Sequence, residues 1–208
     1  MNEMNAKSQL IDYIGSRIPL SDQDASFIKD RFHLRSFSKK QFFLKEGDEG
    51  FEQGFIVAGA FRVFYTDAKG LEHVLYFGFK DWWVGDLGSF LSSTKSQLNV
   101  QALEDGYILA FNHADIEEIF TEVPKMERLF RVMAQRTLSV LQKRFFLTVS
   151  ASAEDRYLDL LKRHPKIEQM VPQHQIASYL GILPESLSRL KKQMIQRIKS
   201  AKAGTEEK

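Results

Sequence analysis

The sequence predicts an α+β protein: a β-sandwich or barrel, then one long helix, then a small helical domain. Three observations predict it. Between about Phe37 and Phe111, short aromatic and β-branched runs alternate with turn residues, the texture of an all-β unit. From Pro124 to about Ser150 the apolar residues recur at helical spacing without a break. Near the C-terminus, QHQIASYLGILPESLSRLKK (Gln173–Lys192) has the pattern of two short helices joined by a tight turn.

Composition fits this reading. The chain has 208 residues, 43% hydrophobic and 27% charged, enough for one larger and one smaller domain. There is no 18-residue apolar run, so no membrane span is expected. The opening MNEMNAKSQLIDYIGS has an early acidic residue and no long apolar core, unlike a secretory signal, so the expected location is the cytoplasm. With no cysteine, disulfides, thiolate zinc sites and cysteine-ligated iron–sulfur clusters are excluded. The five histidines are scattered, none in an H-x-H or H-x3-H pair, and no metal or other cofactor is expected.

The elements follow in order. Residues 4–18 and 21–32 read as two short helices, the second opened by Ser21 with Asp24 three residues on, a capping-box spacing. The expected strands are Gln41–Leu44, Phe55–Val57, Ala60–Thr66, His73–Phe77, Asn99–Ala102 and Tyr107–Phe111, separated by Gly- and Asp-bearing turns. Ala60–Thr66 and His73–Phe77 flank a Gly-bearing loop and make a hairpin. Asn112 caps a helix over His113–Glu122. Along the long helix, Phe130, Met133, Thr137, Val140, Arg144 and Leu147 fall at alternating spacings of three and four, a coiled-coil seam interrupted by Thr137 and Arg144. Leu129, Leu138, Leu141 and Phe145 lie off it, so the helix is expected to bury one face on its own domain and the seam on a second copy. Ser150–Ala153 reads as a hinge, and Ser152 with Asp155 starts the next helix, to about Arg163. The expected divisions are 1–123, the barrel; 124–150, the dimerisation helix; and 151–208, the C-terminal domain.

Within the two-helix motif, Ala177 is small where helices approach, Gly181 suits the turn, and Pro184 suits the first turn of the second helix. From Pro184 to Lys202, Arg189, Lys191, Lys192, Arg197, Lys199 and Lys202 face one acidic residue, Glu185. Residues 1–149 carry a net −2 and residues 150–208 a net +4, so the positive charge concentrates on the motif. A basic helix-turn-helix is the footprint of a duplex-DNA binder.

Barrel, long helix, hinge and helix-turn-helix in this order resemble the Crp/Fnr family of bacterial transcription regulators, over roughly Phe37 to Lys199. The most specific matches are the turn glycines Gly47 and Gly59, the stretch Gly85-Asp-Leu-Gly-Ser-Phe90, which resembles the family's phosphate-binding cassette, and the helix-turn-helix. The resemblance implies a jelly-roll, or double-stranded β-helix, barrel of the cyclic-nucleotide-binding kind and a homodimer on a two-fold-symmetric duplex. It also implies RNA polymerase as a further partner and a small effector, unidentified here, in the barrel. It places Glu185 and Arg189 on base edges, Ser186 and Ser188 on bases or phosphates, and Lys191 and Lys192 on phosphates. Two half-sites would then lie about 34 Å apart. Pro184 stands where the catabolite activator has a further base-reading arginine, so the DNA sequence read should differ. The family's β-hairpin wing has no counterpart in the sequence pattern after Ile198.

The resemblance places the effector pocket at Gly85, Asp86, Leu87, Gly88 and Ser89, with Ser96, Gln97, Leu141 and Gln142. Asp86 replaces the family's glutamate, Ser96-Gln97 its arginine–serine pair, and Leu141-Gln142 the hydroxyl pair that meets adenine. A phosphate left without its cation in a closed pocket is costly, so cyclic AMP is not expected there. The nearest base is Lys95, and Trp82-Trp83 read best as core. No enzyme is expected: a cupin-like metal site needs clustered histidines, and only His73 falls in an expected strand. The alternative is a regulatory module whose helical tail binds protein instead of DNA.

Overall fold

The computed structural model describes the backbone of residues 1–206 and side chains through Arg197. The chain forms two compact units, Met1–Lys143 and Arg144–Lys208.

The first unit opens with two capped helices, α1 (Glu3–Gly15) and α2 (Asp22–Asp30). Ser21 and Asp24 satisfy each other's exposed amides at the start of α2, as the sequence spacing predicts. Eight strands follow: β1 (His33–Phe37), β2 (Phe42–Leu44), β3 (Glu52–Ala58), β4 (Phe61–Thr66), β5 (Glu72–Gly78), β6 (Trp83–Val84), β7 (Asn99–Ala102) and β8 (Gly106–Asn112). They make two antiparallel four-stranded sheets, ordered β1-β8-β3-β6 and β2-β7-β4-β5. Between β6 and β7 lies a short helix, α3 (Leu87–Ser92); after β8 come α4 (His113–Glu122) and α5 (Lys125–Ser150).

Alternation along the strands builds two cores. Ile56, Ile108 and Ala110 of the first sheet meet Phe61, Val63, Val100 and Ala102 of the second. Their sequence neighbours Phe55, Val57, Leu109 and Phe111 point the other way, onto α1, α2, α4 and the first turns of α5. Strands buried on both faces read as continuous apolar runs, which is why β3 and β8 stand out in the sequence. Trp83 joins Tyr13, Phe32, Phe55, Phe111 and Phe130 in the second core, whereas Trp82, expected to be core as well, is 40% exposed.

Gly47 and Gly59 both hold positive φ, +87° and +92°. At Gly59 a Cβ would also lie 2.8 Å from the Gly106 backbone, so only glycine fits the turn. No strand signal precedes β1, four of whose five residues are exposed or half-buried, or marks β6, which is two residues long.

The second unit takes in the end of α5 and contains α6 (Ala153–Arg163), α7 (Ile167–Met170), α8 (Gln173–Leu180) and α9 (Pro184–Glu206). Ser152 and Asp155 close a capping box on α6. Tyr157, Leu160, Ile167, Val171, Ile176, Ala177, Leu180 and Leu187 form its buried centre. Among the described residues no strand follows α8; α9 continues to Glu206.

The expected dimer seam is divided along the long helix. Phe130 and Met133 pack into the first unit's own core, where the Tyr13 hydroxyl meets the Met133 sulfur at 3.8 Å. Arg144 donates to the Tyr179 carbonyl at 3.1 Å, and Leu147 lies beside it in the second unit. Of that seam only Thr137 and Val140 are exposed. A neighbouring stripe is open instead: Leu138, Leu141, Phe145 and Val149 are 57%, 51%, 72% and 73% exposed. Spacing of three and four identifies an apolar stripe but not what covers it, and this helix carries two.

Candidate functional site

In the second unit, the turn between α8 and α9 is set by Gly181 at φ +68°. Its amide bonds back to Ser178 O at 3.1 Å, and the Ile182 amide to Ala177 O at 3.1 Å, closing the end of α8. Leu187 buries one face of α9 against α8, and the Gln173 amide donates to Ser188 Oγ at 2.7 Å. The opposite face carries Glu185, Arg189 and Lys192, all exposed, at i, i+4 and i+7. Ser186 and Ser188 are half-buried at its margin.

Lys191 lies elsewhere. It pairs with Glu168, which also accepts from the Tyr157 hydroxyl at 2.6 Å. Burial raises the Glu168 pKa, but the bonds from Lys191 and Tyr157 outweigh it and hold the carboxyl below its ordinary value. Lys191 therefore ties α9 to α7, a role that sequence spacing did not disclose because the pair is 23 residues apart. Arg197 likewise bridges to Glu154, at 2.9 and 3.0 Å. Lys199 and Lys202 lie outside the residues whose side chains are described.

In the first unit the cassette is folded against its own surroundings. Asp86, 7% exposed, caps α3 by accepting from the Ser89 amide at 3.2 Å. Its other oxygen accepts from the Gln97 amide at 2.9 Å and from Ser96 Oγ at 3.2 Å. Burial raises the Asp86 pKa, yet these bonds more than offset it, so the group is an anion at neutral pH. Ser96 is itself buried and also bonds within its own loop, at Leu98. Ser89 is buried, Gly88 is exposed and Leu87 is 57% exposed. The structure thus joins Gly85, Asp86, Ser89, Ser96 and Gln97 in one network, while Leu141 and Gln142 are exposed on α5.

Tyr76 belongs to this network, though nothing in the sequence singled it out beyond its place in a strand. It rises from β5 against the inter-sheet core, and its hydroxyl donates to the Gly85 carbonyl at 3.3 Å. Burial, and the nearby Asp86 charge, push its phenol up to about 12.

These residues do not fit a cyclic phosphate. Ser96, at the position of the family's arginine, brings no positive charge, and among the described residues no cation pairs with Asp86. Lys95 is exposed. Arg62, the one buried arginine among the described residues, is on β4, paired with Glu72, bonded to Gln101 at 2.7 and 2.9 Å, and stacked on Phe64.

A two-sheet barrel with a cassette helix, followed by a long helix and a helix-turn-helix unit, defines the architecture. Residues 34–122 match the cyclic nucleotide-binding domain family. Among solved structures, the chain is similar to the c-di-GMP responsive global regulator CLP of Xanthomonas campestris: 14% identity over 85% of this chain and 93% of that one, TM-score 0.71. It is also similar to FixK2 of Bradyrhizobium japonicum, with 17% identity over 80% and 85% and TM-score 0.69. A third is the catabolite activator protein of Thermus thermophilus, with 19% identity over 86% and 85% and TM-score 0.55. No curated protein sequence matches the chain. Residues 34–122 thus resemble that domain family, and the chain as a whole has the fold of these solved regulators. Among the described residues no helix is long and apolar enough to cross a membrane.

Proposed function

We propose that the protein is a homodimeric, sequence-specific DNA-binding transcription regulator whose barrel does not use cyclic AMP. The observation that carries this reading is the row Glu185, Arg189 and Lys192, exposed on a helix whose other face is anchored by Leu187. Arg189 suits the O6 and N7 of guanine, Glu185 suits cytosine N4, and Lys192 suits a phosphate. The dimer rests on α5 through Leu138, Leu141, Phe145 and Val149, whose exposure on a lone chain leaves an apolar surface to cover. The absence of cyclic AMP rests on Asp86 and Ser96, which satisfy each other where the family has a glutamate and an arginine.

The test is selection from random duplex DNA by the purified protein at moderate salt, with and without cyclic AMP. An enriched two-fold site without nucleotide is the expected result. Enrichment that requires cyclic AMP would overturn the reading of the cassette. No enrichment, together with binding of a protein partner that is insensitive to salt, would favour the protein-binding alternative, because DNA binding weakens steeply as salt rises.

A further inference from the structure

A second charged site lies in the C-terminal unit, away from the exposed face of α9. Arg144 and Thr148 at the end of α5, Arg156, Asp159 and Arg163 on α6, and Tyr179 on α8 line a half-open cleft of about 20 Å³. That is room for one water-sized group, or one oxygen of a larger anion. Three guanidiniums and one carboxylate leave the lining at a net +2.

Arg144 and Arg163 both meet Tyr179, and Arg163 also pairs with Asp159. Arg144 donates to the Tyr179 carbonyl at 3.1 Å and lies 4.2 Å above the Tyr179 ring. Arg163 donates to the Tyr179 hydroxyl at 3.2 Å and to Asp159 at 2.8 Å. Arg156 donates to the Ala151 and Thr148 carbonyls at 3.1 and 3.4 Å. Its Nε–H is buried and finds no partner among the described residues. A buried charged donor left unmade is costly, and this one sits in a cleft of like charges. Burial, then the charge of Arg163, also lowers the pKa of neighbouring His164, in keeping with a positive field there.

We propose that this cleft binds an oxyanion of the phosphate or sulfate class, with the Arg156 guanidinium completing the positive lining. Arginine forks match such oxygens well, and the bound group would join the end of α5 to α6 and α8. The anion has two sources, a free small molecule or the backbone of bound nucleic acid. The free-anion arm stands whether or not the protein binds DNA.

The experiment titrates inorganic phosphate into the full chain at constant ionic strength, following the arginine Nε–H resonances by NMR. Saturable binding is expected, weakened about tenfold, or about 1.4 kcal/mol, by Arg156→Gln. Asp159→Asn, which removes the lone carboxylate, should tighten it; these opposite directions separate a charge effect from loss of fold. In parallel, the salt dependence of DNA binding is compared between parent and Arg156→Gln. A slope reduced by about one assigns the oxyanion to a DNA phosphate; an unchanged slope with saturable phosphate binding assigns it to a free anion. No saturable binding and no change of slope would overturn the proposal, as would variants that both bind phosphate like the parent.

Discussion

Arg189 and Lys191 stand two residues apart on one basic helix and have different work. Arg189 is exposed, whereas Lys191 is drawn back onto Glu168 and through it to Tyr157. Arg189→Ala should lose about 1–3 kcal/mol of discrimination at one base position, measured by competition between the selected site and single-base variants. If the variant ranks all sites as the parent does, Arg189 does not read bases. Lys192→Ala should lower the salt slope of DNA binding by about one, while Lys191→Ala leaves the slope and costs up to about 1 kcal/mol of stability, since its pair is partly exposed. Equal slopes in the two variants would contradict that division. Residue chemistry also sets an acid limit. Lys125, then the Ser21 amide and hydroxyl, hold the Asp24 carboxyl down at about 2. A depressed carboxyl stabilises the fold above its ordinary range, and that contribution is lost as pH falls toward about 2. Asp24→Asn should therefore flatten the loss of stability between about pH 4 and 2, followed by circular dichroism; an unaltered profile would mean the pair contributes nothing.

At the scale of elements, local signals were legible and distant partners were not. The capping boxes at Ser21, Asn112 and Ser152 each involve residues three apart, so sequence spacing is enough to find them. The helices His113–Glu122 and Ala153–Arg163 follow from them directly. β1 pairs His33–Phe37 with Gly106–Ala110, a partner that no local pattern supplies. The cassette positions were found by resemblance, but that Ser96 and Gln97 would turn their own donors onto Asp86 depends on a loop closing in space. On α5 two apolar stripes run side by side, and Phe130 and Met133 of the seam read from the sequence pack on the chain's own core. Phe130→Ala should therefore cost about 2 kcal/mol or more of stability without affecting self-association. Phe145→Lys should leave the fold intact and dissociate the dimer, read by sedimentation. A Phe145→Lys chain that still sediments as the parent would move the interface elsewhere.

For the whole molecule, the matches to solved structures extend over both units, and the sequence already gave that order of parts. What distinguishes this chain is the state of its cassette. A ligand that binds the native fold raises its melting temperature, and the rise grows with the logarithm of its concentration above Kd. Cyclic AMP should leave the melting temperature unchanged, and a concentration-dependent rise would show that the Asp86 network opens to admit it.

Tyr76 carries one more consequence. With the Tyr76 hydroxyl on Gly85, and Asp86 already bonded on both oxygens, the cassette has internal partners of its own. A ligand shifts a conformational equilibrium only by its difference in affinity for the two states. On the proposed function, a regulator lacking that difference for cyclic AMP would answer to its own abundance, with control passing from that nucleotide to synthesis and turnover of the protein itself.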